Sequence, residues 1–224
     1  RLEERFLQHP ALAIEQSREV TAAMANTARS NLTASLDLIS NYSDKGFQSI
    51  EDKENTIDRF EDKLGTYLMK ITVKSLNTRQ SEEVSKYLHT ISDFERIGDH
   101  AADIAEIIPH LVTVRKEGDP AVSRAIAMGK KAHQMILDAL DALTAEDENA
   151  ARRVIAADDE VDYDFNAIKH QLAQEIAEDP GKVDAALDLL MVIKYLERIG
   201  DHAVNVAEWV QFVRTGRYKD ESMF

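Results

Sequence analysis

Carboxylate side chains recur at a spacing of four residues within a motif that the chain contains twice. The string ERIGDHA occupies residues 95–101 and recurs, letter for letter, at residues 197–203. Residues four apart lie on one face of a helix, so the Glu and Asp of each copy stack together. These carboxylates are Glu95 and Asp99 in the first copy and Glu197 and Asp201 in the second. A repeat of this length indicates an internal duplication, with the same chemistry in both halves.

A second acidic pair precedes each copy of the motif. Glu54 and Asp58 precede the first copy, and Asp158 and Asp162 precede the second, again four residues apart. If the helices that carry the two pairs pack antiparallel, four hard oxygen ligands meet on one face, which suits Mg, Mn or Ca and also allows Fe or Zn. The sequence therefore predicts a divalent or trivalent metal site in each half. The alternative is an ordinary solvated acidic surface, neutralised by arginines such as Arg96 and Arg198.

The two copies differ at the next helical turn. Asp103 extends the first carboxylate series and is a further candidate ligand, whereas the corresponding residue in the second copy is Asn205. His100 and His202 each follow an Asp of the motif directly and are therefore expected to point away from the carboxylates. Trp209, the only tryptophan, is expected to pack in the core, with a partner-facing role as the alternative.

Composition excludes several classes of function. With 41 acidic and 27 basic residues, the net charge of −14 opposes binding to nucleic acid or anionic lipid. The absence of cysteine excludes disulfides and thiolate sites and is compatible with the cytoplasm. No stretch reaches the roughly 20 apolar residues needed to span a bilayer, and no signal peptide opens the chain. We expect a cytoplasmic protein, and the absence of an initial Met agrees with a segment of a longer chain.

The composition and apolar periodicity favour an all-α fold. Only 8 Gly and 4 Pro occur, and 44% of the residues are hydrophobic. We predict a lead-in segment at residues 1–13 and two three-helix repeats at residues 14–116 and 117–224, separated near Pro109 and residues 118–120. Helices are predicted at residues 11–41, 47–75, 81–108, 120–143, 147–178 and 182–214.

Glycine occurs in the middle of the third and sixth predicted helices, as Gly98 and Gly200 of the repeated motif. A glycine inside a helix costs about 1 kcal/mol relative to alanine. We therefore expect a neighbouring helix to approach closely at both positions, which would bring its side chains toward the adjacent carboxylates.

The stretch YLERIGDHAVNVAE at residues 195–208 resembles the signature of the PhoU family of phosphate-signalling regulators, and the resemblance extends over both repeats. It implies two three-helix repeats and acidic-x-x-x-Asp motifs that bind multinuclear metal clusters of Mg, Mn, Fe or Zn. It also implies a non-enzymatic, homodimeric regulator of phosphate homeostasis. Its partners would be components of a phosphate transporter and a sensor histidine kinase at the inner face of the membrane, and it would suppress the phosphate-starvation response when phosphate is plentiful.

Two alternatives remain open from the sequence. Residues 6–106, especially LAIEQ at residues 12–16, are more similar to the PhoU-like cytoplasmic domain of sodium-dependent phosphate cotransporters, whereas residues from Val122 onward are more similar to the free-standing regulator. The chain is thus a free-standing protein, a transporter domain or a joining of two sources. A metal-dependent phosphohydrolase is disfavoured, since no Gly-rich phosphate loop, HExxH motif or nucleophile elbow occurs.

Overall fold

Six long α-helices make up nearly all of the computed structural model, which describes residues 1–215 of the chain. That part contains no β-strand, and two short 3-10 helices, Glu4–Gln8 and Pro180–Lys182, precede α1 and α6. The long helices are α1 (Pro10–Ser40), α2 (Asp44–Thr72), α3 (Thr78–Val114), α4 (Pro120–Ala145), α5 (Glu148–Glu178) and α6 (Val183–Thr215). The predicted all-α class is confirmed. None of the helices in residues 1–215 is long and apolar enough to cross a lipid bilayer.

The helices form two three-helix bundles that share one extended interface. Helices α1, α2 and α3 pack against one another, as do α4, α5 and α6. The bundles meet through α1 against α4 and α3 against α6, so four helices form the centre while α2 and α5 flank it. Short connections make sequential helices antiparallel. The repeated motifs of α3 and α6 therefore lie at the inter-bundle interface, each also beside its flanking helix.

Side chains at the helix starts satisfy the unpaired backbone N–H groups of the first turns. Ser43 accepts from the Gly46 amide before α2, and Asn77 and Gln80 form a reciprocal capping box at α3. Asp119 and Asp147 cap α4 and α5 in the same way. These caps define where α2, α3, α4 and α5 begin.

Helix α3 continues through Pro109, so its predicted end at residue 108 is wrong. Proline cannot donate the helical hydrogen bond and usually kinks or ends a helix. Here the neighbouring Ile108 and Leu111 are buried in the core, which holds the last turns in place. The next residue after the helix, Arg115, is buried and ion-paired to Glu175 of α5 at 2.7 Å. Tertiary packing beyond the proline thus outweighs the lost hydrogen bond.

The glycines of the repeated motif face neighbouring helices, as expected, but not equally closely. A Cβ atom added at Gly98 would lie 2.8 Å from Cδ1 of Ile57 on α2. At Gly200 the nearest atoms would belong to Met135, at 3.6 Å, and Val161, at 3.8 Å, which are ordinary contacts. The predicted close helix approach is therefore present at Gly98 and looser at Gly200.

Candidate metal centre

Three carboxylates of the first repeat converge between α2 and α3. Glu54 and Asp58 extend from α2 and Asp99 from α3, and one oxygen of each lies within 4.8 Å of the others. All three side chains are half-buried. Two oxygens bound to one hard cation at about 2.0–2.6 Å from it are separated by at most about 5 Å. The spacing of these three oxygens therefore suits a single shared cation.

Glu95 joins this group from α3, one turn before Asp99. Burial raises the pKa of Glu95 to about 8, and hydrogen bonds from its protonated carboxyl to Asp99 and Asp58 add to the shift. Burial, together with a hydrogen bond to Asp99 and the charges of Asp99 and Asp58, raises the pKa of Glu54 to about 7. Neighbouring carboxylates thus favour the protonated forms of Glu54 and Glu95, and a cation bound among the four side chains would relieve the same repulsion. We call Glu54, Asp58, Glu95 and Asp99 the first carboxylate group.

Two buried oxygens beside these side chains have no hydrogen-bond partner. They are Oδ1 of Asp58 and Oε1 of Glu51. Nearly all buried polar atoms in proteins are paired with protein or solvent, so such atoms call for an explanation. A metal ion supplies one, and an all-carboxylate donor set suits Mg, Mn or Fe best while still accommodating Zn. The residues present therefore fit the metal that the sequence predicts.

Glu51 extends the acidic surface toward one end of the first group and was not predicted from the sequence. Burial raises its pKa, and the charges of Glu106, Asp103 and Asp52 contribute further. Asp103, predicted as a ligand, thus lies near Glu51, and its carboxylate also contacts His100 Nδ1 at 3.4 Å. The structure places Asp103 at the edge of the group rather than among the three converging oxygens.

Glu61 extends the surface at the opposite end and was also missed. Burial raises its pKa, followed by the charges of Asp62, Asp58 and Asp99, while Arg96 lowers it. The missed residues could have been found from spacing alone, because positions 51, 54, 58 and 61 follow the three-and-four rhythm of one helix face.

The second repeat brings its carboxylates near one another between α5 and α6, but less tightly. The pKa of Asp162 is raised by burial, then by Glu197 and Asp159. The pKa of Asp201, whose outer side remains exposed, is raised by lost hydration on its packed side and then by Glu197 and Asp162. Asp158 is half-buried on α5, one turn before Asp162. Within residues 1–215, three ligand atoms meet the 4.8 Å spacing in the first group alone.

A lysine lies within this second group, which we define as Asp158, Asp162, Glu197 and Asp201. Lys194 Nζ lies 2.9 Å from Glu197 Oε1 and 5.3 Å from the ring centroid of Phe165. It lowers the pKa values of Asp162 and Asp201, partly offsetting the effect of their acidic neighbours. The second group is thus partly neutralised by the chain itself.

The histidines of the motif face the inter-bundle interface instead of the carboxylate groups. Their rings stack across α3 and α6 with centroids 5.6 Å apart. His202 Nδ1 is 2.9 Å from Asp93 Oδ1. This agrees with the expectation that His100 and His202 point away from the two carboxylate groups, although His100 contacts Asp103.

Trp209 is half-buried rather than part of the core. Its ring stacks on that of the exposed His89, with the centroids 4.1 Å apart, and meets Phe212 edge-on. The core role predicted for Trp209 is therefore wrong, because the tryptophan lies near the end of the α3–α6 contact, where the helices no longer enclose it.

Comparison with known proteins agrees with the architecture and the duplicated motif. The profile of the PhoU domain matches residues 21–108 and 126–210. A "Phosphate-specific transport system accessory protein PhoU homolog" of Xylella fastidiosa is 31% identical over 193 residues, which cover 86% of this chain and 81% of that protein. The protein of the same description from Clostridium acetobutylicum is 40% identical over 130 residues, 58% of each chain. None of these descriptions is that of an enzyme.

Solved structures share the fold. The crystal structure of PhoU from Pseudomonas aeruginosa superposes with a TM-score of 0.86 at 23% identity, over 92% of this chain and 99% of that one. The phosphate transport system regulatory protein PhoU from Streptococcus pneumoniae gives a TM-score of 0.83 at 20% identity, over 95% and 100% of the two chains. With both domain matches, a relative similar over most of its length and the same fold, the chain belongs to the PhoU domain family.

Proposed function

We propose that this protein is a metal-binding, non-enzymatic accessory protein that regulates a phosphate transport system from the cytoplasm. The observation that carries the metal part of the proposal is the convergence of Glu54, Asp58 and Asp99 within 4.8 Å. The regulatory part is supported by its relatives, which are described as accessory proteins of phosphate-specific transport systems.

The residues that would hold the metal are the four of the first group and, more weakly, those of the second. A bound cation supplies positive charge that offsets the mutual repulsion of the carboxylates. In its absence the same carboxylates repel one another, and the pKa values of Glu54 and Glu95 are raised. Metal binding would therefore join α2 firmly to α3, while α1, α3, α4 and α6 form the central packing.

The partners follow from the same family relationship. We propose that a homodimer contacts transporter components and a sensor histidine kinase at the inner face of the membrane, and suppresses the phosphate-starvation response when phosphate is plentiful. A relative that aligns with 86% of the chain, and so with both repeats, favours the accessory protein over a cotransporter domain or a joining of two sources.

The regulatory part is tested by expressing the chain in a bacterium that lacks its own PhoU and carries a reporter of the phosphate-starvation response. The wild-type chain is expected to restore repression of the reporter in phosphate-rich medium. An Asp58→Asn/Asp99→Asn variant, expressed at the same level, is expected to restore less of it. Full repression by the variant would remove metal binding from the mechanism, and no repression by the wild type would contradict the regulatory role.

The metal part is tested separately on purified protein. Metal content is measured by elemental analysis after equilibration with Mn²⁺ and removal of free ions, for the wild type and for the same variant. We expect bound metal in the wild type and a reduced content in the variant. Equal metal content in both would contradict the assignment of these ligands.

A further inference from the structure

The two carboxylate groups differ at positions that correspond in the duplication. The repeated motif relates α3 to α6 by 102 residues, and the acidic pairs relate α2 to α5 by 104 residues. The structure agrees with this alignment, because Gly98 faces Ile57 while Gly200 faces Val161. Asn55 and Asp159 differ in the opposite sense, but four corresponding pairs beside the carboxylate groups make the first repeat the more acidic one. They are Ser92 and Lys194, Glu61 and Phe165, Glu51 and Ile155, and Asp103 and Asn205.

These differences place a cation in one group and extra carboxylates around the other. Lys194 pairs with Glu197 at 2.9 Å, and its ammonium lies 5.3 Å from the ring centroid of Phe165, within range of a cation–π interaction. Ser92 is exposed on α3. The position that corresponds to Phe165 is Glu61, which adds a negative charge near Asp58 and Asp99.

We propose that Lys194 is a built-in counter-ion that makes the second carboxylate group the weaker metal site, so that the first group fills first. This inference rests on the metal binding proposed above. A metal entering the second group must break the Lys194–Glu197 pair or remain close to a positive charge, and either costs binding free energy. In the first group the entering metal meets additional carboxylates instead. The lysine thus sets the affinity difference between two sites built from the same motif.

The predicted consequence is two classes of site in one chain. An ion pair at this distance in a half-buried environment is expected to weaken the second site by about tenfold or more. At low metal concentration the first repeat then carries the metal alone, and the second repeat responds only at higher concentration. A duplicated protein of this kind reports metal over a wider concentration range than two equal sites would.

The test is a titration of the full chain with Mn²⁺, followed by electron paramagnetic resonance for free Mn²⁺ and by calorimetry. A Glu95→Gln/Asp99→Asn background blocks the first group, so that the second is measured alone, with and without Lys194→Ser. Ser92→Lys is the reciprocal change in the first group. Lys182→Ser, an exposed lysine before α6, is the matched control for loss of one positive charge.

We expect Lys194→Ser to tighten Mn²⁺ binding at the second group by about tenfold, and Ser92→Lys to weaken the first group similarly. Lys182→Ser is expected to change either affinity by less than about twofold, since distant exposed charges are screened. A Lys194→Ser effect no larger than that of Lys182→Ser, or two equal sites in the wild type, would overturn this inference and leave metal binding intact. Absence of Mn²⁺ binding in the wild type would instead overturn the proposed metal function, and the inference with it.

Discussion

Replacing Glu95 with glutamine is expected to stabilise the metal-free protein at neutral and alkaline pH. The folded-state pKa of Glu95 is about 8, against an ordinary value of 4.5. Between these values the folded state holds a proton that the unfolded state has released, so the stability of the wild type falls as pH rises through this window. Glutamine keeps a hydrogen-bond donor toward Asp58 and Asp99 but never acquires the charge.

The size of the effect follows from the same shift. One pKa unit corresponds to about 1.4 kcal/mol, so the difference between 4.5 and about 8 sets an upper limit near 5 kcal/mol. Because Glu95 is only half-buried, water screens much of this repulsion, and we expect a gain of about 1–2 kcal/mol in the free energy of unfolding at pH 8. The gain should shrink toward zero below pH 4.5, where both states of the wild type are protonated at this position.

Urea denaturation after chelation of metals, repeated between pH 4 and pH 9, measures this difference. Glu82→Gln is the control, because Glu82 is exposed on the same helix, and its effect should stay within about 0.5 kcal/mol at every pH. Added Mn²⁺ should make the wild type more stable than Glu95→Gln. Binding stabilises a folded state by about 2.7 kcal/mol when the free metal concentration is 100 times Kd, and the wild type binds the metal more tightly. A Glu95→Gln variant that loses stability equally at all pH values, or that gains as much from Mn²⁺ as the wild type, would refute the reasoning.

Two further changes test the packing that positions the carboxylates. Gly200→Ala should raise the free energy of unfolding by about 0.5–1 kcal/mol through helix propensity. Gly98→Ala should raise it less, since the new methyl group would meet Ile57 at 2.8 Å. Equal gains in urea denaturation would contradict the closer helix approach at Gly98. Arg115→Ala should lower the free energy of unfolding by about 2–4 kcal/mol, because it removes a buried guanidinium that pairs with Glu175 at 2.7 Å. A loss below about 0.5 kcal/mol in the same assay would show that this ion pair contributes little.

Much of the fold could be predicted from the sequence because its determinants are local. Capping residues such as Asn77 and Asp147 act within three residues of a helix start, and the apolar periodicity of each helix lies within the helix itself. The end of α3 could not be predicted in this way. Pro109 is a local signal for termination, and the burial of Leu111 by other helices overrode it.

The candidate site also has features that could be predicted locally and features that depend on tertiary structure. The sequence alone determined the duplication and the carboxylate pairs that stack on one face of each helix, since these depend only on the spacing of residues along a helix. Only the tertiary structure decided which faces meet. It brought Glu61 of α2 near Asp99 of α3, and the ammonium of Lys194 on α6 near the ring of Phe165 on α5. Electrostatic interactions depend on distance through space and on burial, so two copies of one motif acquire different charge environments from the helices packed against them.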